Sequence, residues 1–70
     1  MLKTLGDHIQ AKRIEKRLLQ QEMARMLGVT RRQVQLWERD RQVPSDDDWK
    51  ALVNLLGLDG SLRAANPTAE

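Results

Sequence analysis

The run from Gln20 to Glu38, QQEMARMLGVTRRQVQLWE, constrains the fold more than any other part of the chain. Helix formers lie on either side of Gly28, with no alternating β-branched run of the kind a strand needs. Two short helices crossing steeply need a small residue at their closest approach, and Ala24 supplies it. Gly28 can take the left-handed conformation that ends one helix and redirects the chain within about three residues. Val29 and Val34 then fill the corner. Thr30 suits the N-cap of the second helix, because its hydroxyl can accept a first-turn N–H.

Elsewhere glycine and proline are sparse, at Gly6, Gly57, Gly60, Pro44 and Pro67. The pattern predicts a first helix from about Leu5 to Lys16, with Leu5, Ile9 and Arg13 stacked on one face at i, i+4 spacing. A second helix, Gln20 to Leu27, buries Met23, Ala24 and Leu27. The third, capped by Thr30, ends near Arg39; Val34 and Trp37 point inward, with Glu38 at the edge of that side. Pro44 blocks its continuation. Ser45 caps a fourth helix, and Asp46, Asp47 and Asp48 occupy its first turn, where the helix dipole favours negative charge. Trp49, Leu52, Val53 and Leu56 form its buried face, and Gly57 stops it. Leu58 and Leu62 pack as a short fifth helical turn. The expected domain spans residues 1–63, with 64–70 a disordered tail. This is an all-α class, a compact bundle of four to five short helices.

Seventy residues make one domain, near the size where a single core is only marginally sufficient. With no Cys there is no disulfide framework or thiolate metal site, and the lone His8, read as a surface residue, builds no metal cluster or dyad. Asp46–Asp48 lacks the alternating ligands and mid-loop glycine of a calcium loop. No metal, no cofactor and no enzymatic activity are expected, since no nucleophile–base pair or phosphate loop is present. No apolar run approaches a membrane span and no leader is seen, so a soluble cytoplasmic protein is expected, without a membrane partner. The net charge of +2 is unevenly spread. Residues 1–44 hold ten Lys or Arg against five acids, while residues 45–70 hold two against five. One end is built to meet a polyanion.

On a 100°-per-residue wheel the outward arc of the third helix carries Arg32, Gln35, Leu36 and Arg39, with Arg31 flanking. Such a face suits the DNA major groove, where Arg pairs bidentately with guanine and Gln with adenine. The span Leu5 to Leu58 resembles the Cro/C1-type (XRE-like) helix-turn-helix domain of phage repressors and small bacterial regulators. The resemblance rests on the Ile9…Arg13 spacing, Gln20-x-x-Met23-Ala24, Gly28-Val29-Thr30, Val34-x-x-Trp37-Glu38, Pro44 and Leu56-Gly57-Leu58. It implies a lambda-repressor-like bundle that binds double-stranded DNA, usually as a dimer. Carried over, it makes Arg31, Arg32 and Leu36 base contacts, beside the Gln35 read from the wheel. Gln20, Thr30, Arg39 and Arg41 become phosphate contacts. Arg13 and Glu38 become a buried ion pair.

The chain departs from that pattern in several places. Leu19 stands where Ser, Thr or Asn usually caps helix two, and Arg17 stands at a common glycine position. Asp40 replaces the frequent Gly or Asn after helix three and sets a negative charge between Arg39 and Arg41. Leu36 cannot hydrogen-bond a base edge and suits only a thymine methyl. The reading is a stand-alone transcriptional regulator, a repressor by default, pairing as a weak homodimer through the region after Gly57. The alternative is an antitoxin-like interaction module, whose acidic C-terminal half and exposed Leu55, Leu58 and Leu62 bind a partner protein.

Overall fold

A computed structural model describes residues 2–62, and the expected tail lies outside them. Four α-helices follow in order: α1 (Leu5–Glu15), α2 (Gln20–Leu27), α3 (Arg31–Glu38) and α4 (Asp46–Leu56). A single 3-10 turn, Gly60–Leu62, stands where the fifth helical turn was expected. Among the described residues there is no strand. The all-α reading holds, with helix bounds within a residue or so of those expected.

Each start has a local cause. The Thr4 hydroxyl accepts the Asp7 N–H at 3.1 Å, while the Asp7 carboxylate accepts those of Lys3 and Thr4, a reciprocal cap. These bonds, led by that from Lys3, hold the Asp7 carboxyl below its ordinary pKa. Thr30 and Ser45 cap α3 and α4 through their hydroxyls, to the N–H groups of Gln33 and Asp48. Leu19 provides neither a side-chain cap nor packing in its place, being 66% exposed. The Glu22 carboxylate instead reaches back to the Leu19 N–H at 2.8 Å.

The helix ends share one device. Arg17, Gly28, Asp40 and Gly57 all have positive φ, between 57° and 72°. After α1, α2 and α3 the left-handed residue and its successor donate back to the last turn. The pairs are Arg17 to Ile14 and Leu18 to Arg13, Gly28 to Arg25 and Val29 to Ala24, and Asp40 to Trp37 and Arg41 to Leu36. Carbonyls that would otherwise lack partners are thereby satisfied. Two of the four residues are not glycine. Arg17 and Asp40 carry the strain of a Cβ in that region.

The core gathers Leu5 and Ile9 from α1, Met23 and Ala24 from α2, Val34 and Trp37 from α3, and Trp49, Leu52 and Leu56 from α4. Helix α3 packs against α1 and α2, and α4 packs across the same two helices. Leu27, Val29 and Val53, expected inside, are half-buried against this cluster. His8 is half-buried rather than fully at the surface. The larger correction concerns the leucines of the C-terminal half. Leu58 is 6% exposed and belongs to the core, and Leu55 and Leu62 pack on it half-buried. Their packing closes the bundle around Gly57 and leaves less exposed apolar surface there than the partner-binding alternative expected, while its acidic charge is unaffected. Leu55 sits one residue before the buried Leu56 at the end of α4, and the turn at Gly60–Leu62 folds Leu62 inward. Hydrophobicity alone does not distinguish such a closing lid from an open patch.

Candidate nucleic-acid interface

The corner between α2 and α3 is built as the spacing requires. Ala24 and Met23 are buried, Gly28 turns left-handed at φ 72°, and Val34 and Trp37 anchor α3 inward. The Trp37 indole N–H is buried with no hydrogen-bond partner among the described side chains. Anchoring these two residues turns the opposite arc of α3 to solvent.

Beneath α3 lies a polar chain. Arg13 Nε meets Glu38 Oε2 at 2.6 Å and Arg13 Nη2 meets Oε1 at 3.3 Å, with side-chain exposures of only 11% and 3%. Arg13 Nη1 also donates to the Leu18 carbonyl at 2.8 Å, so one guanidinium ties α1, the α1–α2 joint and the end of α3. Gln20 Nε2 donates to Glu38 Oε1 at 3.1 Å, and Gln20 Oε1 accepts from Gln35 Nε2 at 3.3 Å. The acceptor-only carboxylate thus orients the first amide, which orients the second. Gln35 is half-buried, with its Oε1 and one N–H uncommitted among the described residues.

Two of the hollows beside α3 hold expected contact residues. The first, about 200 Å³, is lined by Arg32, Gln35, Leu36, Arg39 and Arg41. It brings three expected base-contact residues together with two expected phosphate contacts. The second, about 320 Å³, lies at the start of α2 and is lined by Arg13, Leu19, Gln20, Gln21 and Arg31. Arg31 therefore stands apart from Arg32, on the Gln20 side. Thr30 is exposed, and its oxygen accepts the cap bond while its O–H can still donate. Gln21 was not singled out from the sequence, nor were Gln33 and Gln42, whose amides bond across α3 and the following loop. Only the turn at Gly28 brings the first of these beside Arg31, a proximity with no periodic signature.

The charge at the helix starts separates α3 from the rest. Helices α1, α2 and α4 hold acids in the first turn: Asp7, Glu22, and Asp46 with Asp47 and Asp48. Helix α3 holds none there, and instead begins with Arg31 and Arg32. Cations at a helix N-terminus oppose its dipole, at about 0.3–1 kcal/mol each. An external anion bound there would offset that cost.

The sequence profile described as Helix-turn-helix matches residues 9–62. The chain belongs to the helix-turn-helix family. Among solved structures, this helix-turn-helix chain is similar to the P22 c2 repressor protein in complex with a synthetic operator. The TM-score is 0.81 and the identity 24%, over 89% of this chain and 94% of that one. The likeness carries the fold, a lambda-repressor-like bundle. No curated protein matches the chain. No helix among the described residues is long and apolar enough to cross a membrane.

Proposed function

We propose that the chain is a transcriptional regulator that binds double-stranded DNA sequence-specifically, laying α3 in the major groove and repressing by occupying its site. The observation that carries this reading is the pair Arg31 and Arg32 at the start of α3, which alone among the described α-helices has no acid in its first turn. Family membership supports it, as does the shared fold with the P22 c2 repressor, which is held in its structure on a synthetic operator.

In this reading Arg31, Arg32, Gln35 and Leu36 contact base edges. Gln20, Thr30, Arg39 and Arg41 hold phosphates on either side. Gln35, with its amide oriented from beneath, is suited to the N6/N7 edge of adenine. Two copies pair weakly through the region after Gly57, placing half-sites about 34 Å apart, one turn of DNA. Selection of bound duplexes from a random pool tests the whole proposal: a two-fold repeated site is expected. Binding that enriches no sequence, and depends only on salt, defeats it.

A further inference from the structure

Leu36 is the sole apolar residue among those lining the hollow of about 200 Å³ on the outer side of α3; its companions are Arg32, Gln35, Arg39 and Arg41. It is half-buried among them rather than turned into the core. A side chain there that offers no hydrogen bond, surrounded by groups that do, creates one apolar spot in a polar recess. In the major groove the matching feature is the methyl at C5 of a pyrimidine, the one apolar group a base pair presents there.

Arg32 lies one helical turn before Leu36, so their Cβ atoms are about 5–6 Å apart on one face. Successive bases of one strand rise about 3.4 Å, so two residues one turn apart address neighbouring base pairs. When Arg32 pairs bidentately with guanine O6 and N7, its guanidinium lies near the guanine plane. The flat face of that group and the Arg32 stem then cover the C5 edge of the adjacent pyrimidine, with Leu36 as the opposite wall. We infer that Arg32 and Leu36 together read a 5-methylpyrimidine next to guanine. Binding therefore responds to the methyl itself, whether it belongs to thymine or to 5-methylcytosine.

This inference rests on the DNA-binding reading proposed above, and its test separates the two. From the duplex selected out of a random pool, variants carry deoxyuridine in place of each thymine in turn. At the responsive position, cytosine and 5-methylcytosine are then compared, paired with guanine in both cases. Affinities of the full chain and of Leu36→Ala are measured by fluorescence anisotropy at fixed salt. Loss of the methyl is expected to weaken wild-type binding about fourfold, equivalent to about 0.8 kcal/mol for one buried carbon. 5-Methylcytosine should exceed cytosine by a similar factor. In Leu36→Ala both ratios should fall to about one.

A selected site that tolerates deoxyuridine at every thymine overturns the inference and leaves sequence reading intact. So do methyl ratios that persist unchanged in Leu36→Ala. A pool from which no sequence is enriched overturns both.

Discussion

The Gly6 N–H donates to the Asp40 carboxylate at 2.9 Å, joining the first turn of α1 to the loop that ends α3. The carboxylate satisfies one of the N–H groups left without a partner at a helix start, and its charge is favourable at that end of the dipole. Gly6 permits the approach. A Cβ built there would lie 2.5 Å from the Glu38 carbonyl oxygen and 2.7 Å from that of Trp37. The negative charge between Arg39 and Arg41 is thus engaged with α1. The same contact braces the loop that carries both arginines.

Gly6→Ala should therefore push α1 away from the end of α3. An overpacked contact against backbone costs about 1–3 kcal/mol, or a melting temperature lower by roughly 4–8 °C per kcal/mol for a domain of this size. Thermal unfolding by circular dichroism checks it. An unchanged midpoint would mean that the helices are not held this closely.

Asp40→Asn should keep the Gly6 bond through the amide oxygen, since asparagine also tolerates a left-handed backbone. It removes a negative charge beside two expected phosphate contacts. Stability should change by less than about 1 kcal/mol, while affinity for any duplex rises at low salt, with a steeper salt dependence. A titration series over salt concentration separates this from a change in base reading, which salt leaves in place.

Arg17, the other left-handed non-glycine among the described residues, behaves differently, because its side chain makes no such bond to any of them. Arg17 has φ 58° at the α1–α2 joint. Arg17→Gly relieves about 1–2 kcal/mol of strain against about 0.5–1 kcal/mol of added freedom in the unfolded chain. A net gain of up to about 1.5 kcal/mol is expected. Asp40→Gly should show no such gain, because a bond to a charged acceptor, about 1.5–3 kcal/mol, goes with it. Equal effects of the two glycines in chemical denaturation would contradict the separate roles given to Arg17 and Asp40.

Much of this fold was legible because its signals are local. Thr30 and Ser45 announce helix starts, Gly28 and Gly57 announce stops, and Val34 with Trp37 sets which way α3 faces. The Arg13–Glu38 pair was accessible only through the family resemblance, since its partners are 25 residues apart. The links from Glu38 to Gln20 and on to Gln35 were not legible at all. Each glutamine taken singly is an ordinary surface helix residue, and only the crossing of α2 over α3 sets one amide against the other. Leu58 was open to two readings, packed in a fifth turn or exposed for a partner, for a related reason: a short turn decides whether a leucine after a helix folds inward.

Arg13 carries the heaviest stability prediction. Removing it strands Glu38, 3% exposed at the side chain, with Gln20 as its one remaining donor among the described residues, and leaves the Leu18 carbonyl without its guanidinium partner. Breaking a buried pair from one side costs about 3–5 kcal/mol. That is a large part of the whole stability of a small domain. Arg13→Ala should be largely unfolded at 37 °C, and adding Glu38→Gln should recover part of the loss by removing the stranded charge. A midpoint within a degree or two of wild type would sink the claim.

Acid should loosen α1 through Asp7. Its carboxyl titrates below the ordinary value because it accepts the Lys3 and Thr4 N–H groups. A carboxylate depressed in the folded state adds stability above its unfolded pKa of about 4. That contribution is lost as pH falls through the folded value. Asp7→Asn should therefore lower the melting temperature at neutral pH and flatten its decline below about pH 4. Parallel acid limbs for the two proteins would assign the decline to other carboxylates; Asp59, held low by the Ser61 N–H, is the first to test.

Base reading and phosphate gripping should separate in binding experiments, even for two arginines that line the same hollow. Arg32→Ala is expected to cost about 1–3 kcal/mol on the selected site and to relax preference at one base pair. Arg39→Ala should weaken selected and random duplexes alike and reduce the salt slope by about one. Gln20 falls between these, because it lines the hollow beside Arg31 and also holds the Gln35 amide. Gln20→Ala should weaken every duplex and also loosen preference at the base pair that Gln35 reads. Reselection with each variant checks all three. If Arg32→Ala lowers affinity for random DNA as much as for the selected site, Arg32 grips the backbone and does not read a base.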